Sequence, residues 1–342
     1  MTRRVGVAIV GTGSIADYHI DGVKGVPDAE MRCVVGRNAD KAAALAKRHG
    51  IAAASVDLAA VLARADIDAA IVATPDDTHE AFAAQIAAAG KAVLLQKPMA
   101  SDAAACARIL AQAANAGIDL QVSFMHRYFD AFVRAREMLA AGAIGTLTSL
   151  RIRNATPGPD WADWFFRKER VSGGVVHQLG VHGIDLVRLV AGEIERVGAS
   201  TAILQPTRRL ADGRTVAVEN PDSAFATYWC RSGVVATHEM SMVEAGGCDR
   251  FRLELYGSAG TIWVRSELGP LAVRRSNDRD WTLPTLAQAP LGRTHHRRWI
   301  AGLTGMQAPE ATALDACAGI RVAEAIARSA ATGGGAVEVA VG

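Results

Sequence analysis

Near its start the chain reads Val7-Ala8-Ile9-Val10-Gly11-Thr12-Gly13-Ser14-Ile15-Ala16. An apolar, β-branched run (Val5–Val10) ends in two closely spaced glycines and passes into an amphipathic stretch that begins near Ser14. Gly11 permits a tight turn. Gly13 leaves room for a backbone to approach a pyrophosphate at a helix N-terminus, where unpaired N–H groups and the helix dipole favour anions. Ala16 lets the helix and strand pack closely. A strand–GxGxxA–helix unit at the head of a chain therefore predicts a dinucleotide-binding βαβ fold, provided that strands and helices continue to alternate after it.

They do. Short apolar runs at 31–35, 69–73, 92–95 and 118–123 alternate with Ala-rich helical stretches at 38–49, 78–89 and 101–116. Gly50, Gly90 and Gly117 close these helices as C′ residues, Ser101 reads as the N-cap of the last, and Asp40 is available to cap the second. Strands alternating with helices imply a parallel sheet covered on both faces. After residue 123 the pattern changes. Helices are expected at 129–141 and 175–190. Strands are expected at 197–204, 224–230, 234–241, 250–256 and 261–264, joined by short glycine-containing turns that suggest antiparallel pairing. Residues 266–295 read as polar and irregular, and a final helix at 312–331 has Asp315 in its first turn and Gly333 beyond its end. The expectation is an α/β protein: a Rossmann dinucleotide-binding domain over 1–123, then an α+β domain over 124–342 for substrate binding and oligomerisation, built on a large, open, mostly antiparallel sheet.

Composition narrows the function classes. The 342 residues suit about two domains. Half are hydrophobic, and the net charge is +2 with no long run of one sign. That points away from nucleic-acid or membrane-surface partners. Cys33, Cys106, Cys230, Cys248 and Cys317 are scattered and odd in number, which is no disulfide framework and no metal motif. With no signal-peptide pattern after Arg3-Arg4 and no apolar run long enough to span a bilayer, a reducing cytoplasmic setting is expected.

The end of the second strand decides which nucleotide fits. An NAD site wants a carboxylate there for the ribose 2′-hydroxyl. This chain has Gly36-Arg37-Asn38 instead. Gly36 removes the acid and Arg37 supplies a cation suited to a 2′-phosphate, so NADP(H) is preferred and NAD(H) is possible. Thr74 and Pro75 follow the third strand and are expected to line the nicotinamide side. His79 is either a helix-face polar residue or a contact to the cofactor edge. Lys97, between Gln96 and Pro98 at the end of the fourth strand, is placed to hydrogen-bond a substrate oxygen and stabilise a developing alkoxide. The candidate cofactor set is Gly11, Thr12, Gly13, Ser14, Ile15, Gly36, Arg37, Thr74, Pro75, His79, Gln96 and Lys97.

A second polar cluster lies in an otherwise apolar helix. At α-helical spacing Gln178, His182 and Asp185 share a face, while His177 points elsewhere. A histidine there can exchange a proton with a substrate hydroxyl, with Asp185 orienting the ring; a structural histidine satisfied by a carboxylate is the equal alternative. Before this helix, Trp161, Trp164 and Arg167 lie beside Asp160 and Asp163. Aromatic faces next to hydrogen-bonding groups hold sugars and polyols; a packed aromatic cluster is the competing reading. Arg167 invites a sugar acid. Arg127 and His177 join Lys97, Trp161, Trp164, Arg167 and His182 as candidate substrate contacts. No metal is called for.

Taken in order, these segments resemble the glucose–fructose oxidoreductase / inositol dehydrogenase / MocA (Gfo/Idh/MocA) family. The resemblance rests on Gly11-Thr12-Gly13, Ala73-Thr74-Pro75 with His79, Gly90 through Gln96-Lys97-Pro98-Met99-Ala100, Gly173-Gly174 leading to Gly180-Val-His182-Gly-Ile-Asp185, Tyr256 through Gly260-Thr261, and Glu324 to Ser329. It implies oxidation of a secondary alcohol of a sugar or cyclitol, or reduction of the ketone, with NAD(H) or NADP(H), in a homodimer or homotetramer. It also implies that Lys97 is the family's lysine and His182 its acid/base histidine. Gln96 stands where the family usually has Glu, and Gln178 where it often has Asp, so the proton route runs through His182 alone or through His177. Two other readings share the fold: a glycosidase working by transient oxidation, and a nucleotide-binding sensor without turnover.

Overall fold

The computed structural model describes residues 3–245, 249–265, 271–286, 290, 292–310 and 312–340. Along the chain the first elements are β1 (Val5–Val10), α1 (Ile15–Lys24), β2 (Ala29–Val35), α2 (Ala39–His49), β3 (Ala54–Ser55), α3 (Leu58–Leu62), β4 (Ala69–Val72), α4 (His79–Ala88), β5 (Ala92–Gln96), α5 (Ala103–Ala116) and β6 (Leu120–Ser123). There follow α6 (Asp130–Ala140), β7 (Leu147–Ala155), α7 (Val181–Ala191), β8 (Ile194–Ala202), β9 (Thr207–Arg209), β10 (Thr215–Ala217), β11 (Ser223–Cys230), β12 (Val235–Ser241), β13 (Phe251–Gly257), β14 (Gly260–Arg265) and β15 (Leu271–Arg275). The chain closes with α8 (Arg293–Leu303), α9 (Thr312–Ala331) and β16 (Val337–Glu338).

Two compact units result, 1–128 with 289–317 and 129–288 with 318–342. The single division at 123/124 read from the sequence differs from this. Residues 289–317 return to the first unit because Trp299 and Ile300 of α8 are buried in its core beside Ile9, Ile20, Ile71 and Leu94. The sequence reading placed the first three residues of α8 in irregular chain and assigned no element to the rest: its arginines and histidines hide the apolar spacing, and both histidines are buried.

The first unit's sheet is wholly parallel, in the order β3-β2-β1-β4-β5-β6. Strand order reverses at β1, so the carboxyl ends of β1 and β4 flank a topological switch point, where ligands bind in open α/β sheets. Burial on both faces explains why β1, β4 and most of β5 are continuous apolar runs. Two caps differ from expectation. Asn38, not Asp40, accepts from Lys41 N at the start of α2, and Asp102, not Ser101, accepts from Ala105 N at the start of α5. In each case the capping side chain belongs to an extended residue, as an N-cap requires.

The second unit holds an eight-stranded sheet, β15-β14-β13-β7-β12-β11-β8-β16. Every neighbouring pair is antiparallel except β7 with β12. β7 was not legible as a strand because its outward positions carry Arg151 and Arg153, while Leu150 and Ile152 are buried. β11 alternates in the same way: Ala224, Ala226 and Tyr228 are buried and Phe225 is exposed. Cys33, Cys106, Cys230 and Cys317 are buried; Cys248 lies outside the described residues. Among the described residues no helix is long and apolar enough to cross a membrane.

Candidate functional site

In the first unit the glycine turn is shaped from both sides. Gly11 has φ +118°, and a Cβ there would stand 2.3 Å from the carbonyl oxygen of Ala73, so only glycine fits. A Cβ on Gly13 would meet nothing within 4 Å. The turn is thus closed toward β4 and open on the other side. The free N–H groups of α1 begin there, and Ser14 makes no side-chain cap. This arrangement fits a dinucleotide pyrophosphate. At the end of β2, a Cβ on Gly36 would come 2.8 Å from the Thr12 methyl, and the next residue, Arg37, is exposed.

The strand ends beyond β4 and β5 are tied together. His79 is fully buried, with Nδ1 3.2 Å from Met99 O and Nε2 3.0 Å from Thr74 O. Burial holds its proton affinity below that of an ordinary imidazole. A neutral ring carries one N–H, so His79 donates to one of these two backbone carbonyls and is packed between Thr74 and Met99, which favours the structural alternative for this residue. Thr78 Oγ1 donates to Pro75 O at 2.6 Å, so the 2.7 Å contact between Thr74 and Thr78 uses the Thr74 proton. Thr74 therefore keeps only acceptor capacity. Lys97 is half-buried directly after β5, and the Lys97–Pro98 peptide is cis. Arg127 is buried and ion-paired to Asp315 at 2.7 Å, so it enters any substrate contact as half of a pair.

In the second unit His177, Gln178, His182 and Asp185 lie on one continuous helical run, but Val176–Gly180 forms a π turn leading into α7. Bonding from i to i+5 takes more residues per turn than an α-helix. The single α-helical period from which the sequence placed Gln178, His182 and Asp185 on one face, and His177 off it, does not run through this turn. Small residues make the turn possible. Gly173 and Gly174 have φ of +64° and +51°, and a Cβ on Gly173 would come 1.8 Å from His177 Nδ1. A Cβ on Gly183 would come 2.4 Å from Asn154 Oδ1 and 2.5 Å from His238, so α7 lies directly against β7 and β12. His177, His182 and Asp185 are all buried.

The aromatic segment divides. Phe166 packs with Leu210, Val216 and Val218 in a small core, and Phe165 stacks on Trp164 at 3.7 Å. Trp161 is 62% exposed. Arg167 pairs with Glu219 at 2.8 Å, which weakens its reading as a carboxylate receptor. Sequence reasoning passed over His19, Gly22, His295 and His296, which cluster in the first unit. Their one visible signal was the pair His19 and Gly22, one helical turn apart in α1.

A family model described as oxidoreductase family, NAD-binding Rossmann fold, matches residues 5–124, and one described as GFO/IDH/MocA C-terminal domain matches 132–263. The chain is 31% identical over 351 residues to inositol 2-dehydrogenase 2 of Saccharopolyspora erythraea, covering 99% of this chain and 97% of the other. It is 28% identical over 286 residues to inositol 2-dehydrogenase of Rhizobium meliloti, covering 84% and 82%. Among solved structures, GenD2 from gentamicin A biosynthesis in complex with NAD is 29% identical with TM-score 0.82, covering 100% and 98%. Levoglucosan dehydrogenase in complex with NADH and levoglucosan shares the fold, with TM-score 0.91, 21% identity and coverage of 99% and 100%. The full-length likeness, both domain matches and the glycine turn place the chain in the Gfo/Idh/MocA family of NAD-binding oxidoreductases.

Proposed function

We propose that this protein is a dehydrogenase or reductase for a secondary alcohol or ketone of a sugar, cyclitol or related polyol, and that it prefers NADP(H). The observation that carries the substrate class is the end-to-end similarity to relatives named inositol 2-dehydrogenase. Gly11, Gly13 and the N-terminus of α1 would hold the pyrophosphate, and Thr74 and Pro75 would line the nicotinamide. When bound, the nicotinamide supplies the acceptor or donor of hydride. Lys97 steadies the substrate oxygen by charge and hydrogen bonding, and His182 takes or returns the hydroxyl proton. Asp185, one turn on in α7, orients the His182 ring, and His177 and Gln178 complete the polar side of the π turn.

The preference for NADP(H) rests on the end of β2. Gly36 offers no ribose-binding carboxylate, a side chain there would have to displace the Thr12 methyl, and Arg37 offers a guanidinium to a 2′-phosphate. A charge-assisted contact contributes about 1.5–3 kcal/mol, or roughly ten- to a hundredfold in affinity. Calorimetric titration should therefore show NADPH binding at least about tenfold tighter than NADH, and Arg37→Ala should remove most of that difference. Equal affinities in the wild-type protein would sink the preference.

The outer face of the second unit's sheet supports assembly of identical chains. Phe225 is 56% exposed on a face that alternates Arg151, Arg153, Glu239 and Glu254 around a hollow of about 650 Å³. An apolar patch rimmed by both charge signs suits a second copy of itself. Light scattering should report a homodimer or homotetramer, and a monomeric mass would contradict this reading. The buried thiols go with a reducing, cytoplasmic compartment.

A further inference from the structure

In the first unit, three buried side chains form a line of hydrogen bonds. His296 Nδ1 is 2.8 Å from Gly292 O, His19 Nδ1 is 2.9 Å from His296 Nε2, and His19 Nε2 is 3.2 Å from the Gln96 carboxamide oxygen. His19 and His296 are fully buried, and Gln96 is 9% exposed. Proton bookkeeping fixes the direction of the line. The Gly292 carbonyl only accepts, so His296 carries its proton on Nδ1 and accepts at Nε2. His19 must then donate from Nδ1, which leaves its Nε2 as an acceptor. Two acceptors share no hydrogen bond, so the amide of Gln96 must be turned to present N–H, since carboxamide oxygen and nitrogen are assigned from the network. The alternative, an imidazolium at His19, places a cation in a dry site.

We propose that Gln96 is a positioning residue: its amide donates to His19 and completes a one-way, uncharged relay, Gln96 to His19 to His296 to Gly292, that fixes the end of β5 immediately before Lys97. Two features show that the relay is built. A Cβ on Gly22 would stand 2.1 Å from His296 Nδ1, so α1 is hollowed to seat that ring. The relay also ties α1, which begins at the glycine turn, to the strand that ends at Gln96, just before Lys97, and to α8, nearly two hundred residues further on. The groups packed around it are Tyr18 from α1 and His295 from α8, with Tyr128 stacked on His295 at 4.5 Å and Arg127 beyond. Tyr18 hydroxyl and His295 Nδ1 satisfy each other at 3.0 Å. Burial and the neighbouring ring hold His19 neutral well below its ordinary range.

A carboxylate at position 96 has no proton to give, and it would demand one on His19 Nε2. The inference rests on the reading of Lys97 as the residue that steadies the substrate oxygen, and the test separates the two. Imidazole nitrogen NMR of the wild-type protein should show His19 protonated at Nδ1 and bare at Nε2 near neutral pH. Gln96→Met, which offers no donor, should shift the His19 Nε2 resonance toward that of an acceptor without a partner. A wild-type Nε2–H tautomer, or an unmoved Nε2 resonance in Gln96→Met, overturns the relay whatever Lys97 does. In turnover, Gln96→Met, which keeps the shape and loses the donor, should lower kcat by about ten- to a hundredfold with dinucleotide Kd within about threefold. If the NMR result holds and kcat is unchanged, the relay exists but does not position Lys97, and the proposal fails. If Gln96→Met is impaired while Lys97→Met retains full activity, the reading of Lys97 fails instead.

Discussion

Lys97→Met should lower kcat/KM on the protein's own polyol by about 10²–10⁴-fold while leaving dinucleotide affinity nearly unchanged, and His182→Asn should cost a similar factor. The size follows from the two roles. Charge stabilisation of a developing alkoxide and positioned proton transfer each remove several kcal/mol from a barrier. Met retains the apolar stem of Lys97 and removes only the ammonium, so packing around Pro98, Met99 and Ala100, all buried, is preserved. The double variant is the sharper measurement. If both groups serve one hydride transfer, the losses will be far from additive, because residues that act as a unit lose most of their effect with the first deletion. Strict additivity, or full activity in either single variant, would contradict the assignment.

Acid should destabilise the first unit well before its carboxylates titrate. His19, His79, His295 and His296 are all buried there, and burial pushes each below the ordinary histidine range. Neighbouring rings push His19 and His295 further in the same direction. A histidine whose folded pKa is depressed gives full stability above its unfolded pKa, near 6.5, and loses it as the pH falls, because the unfolded chain then binds the extra proton. At about pH 5.5 His19, His295 and His296, the rings held furthest below, each cost about 1 kcal/mol relative to neutral pH, so the three cost about 3–4 kcal/mol, and His79 adds in the same sense. That is a large part of a typical stability of about 5–15 kcal/mol. Amide hydrogen exchange in peptides from β1 and β4, corrected for intrinsic rates, should show this loss between about pH 7.5 and pH 5.5. Equal protection at both values would mean that these rings take up protons in the fold as readily as in the unfolded chain, which contradicts their burial as neutral groups. In the second unit His238, pushed to about 3 by burial, contributes in the same sense.

The fold was legible where one physical rule acts alone. Parallel strands buried on both faces appear as uninterrupted apolar runs, and Gly50, Gly90 and Gly117, all with φ near +65°, ended their helices where expected. α9 was legible from end to end. Legibility failed where charged or polar side chains interrupt the apolar run: α8 buries His295 and His296, and β7 alternates its core residues with outward arginines. The π turn at Val176–Gly180 was invisible because helix-wheel reasoning assumes one period throughout, yet Gly173 and Gly174 already announced an unusual approach to that helix. Gln96 stood out only as a missing carboxylate. Its two imidazole partners come from distant segments that no local pattern connects.

The account is tested most directly by supplying the protein with oxidised NADP and a panel of cyclitols, aldoses and sugar acids, and with NADPH and the corresponding ketones, while following the absorbance of reduced nicotinamide. At least one polyol–ketone pair should drive stoichiometric change in that signal, and Lys97→Met should abolish it with the dinucleotide still bound. A protein that binds the dinucleotide tightly and leaves its redox state untouched across the whole panel would contradict the claim that this chain moves hydride to or from a polyol carbon.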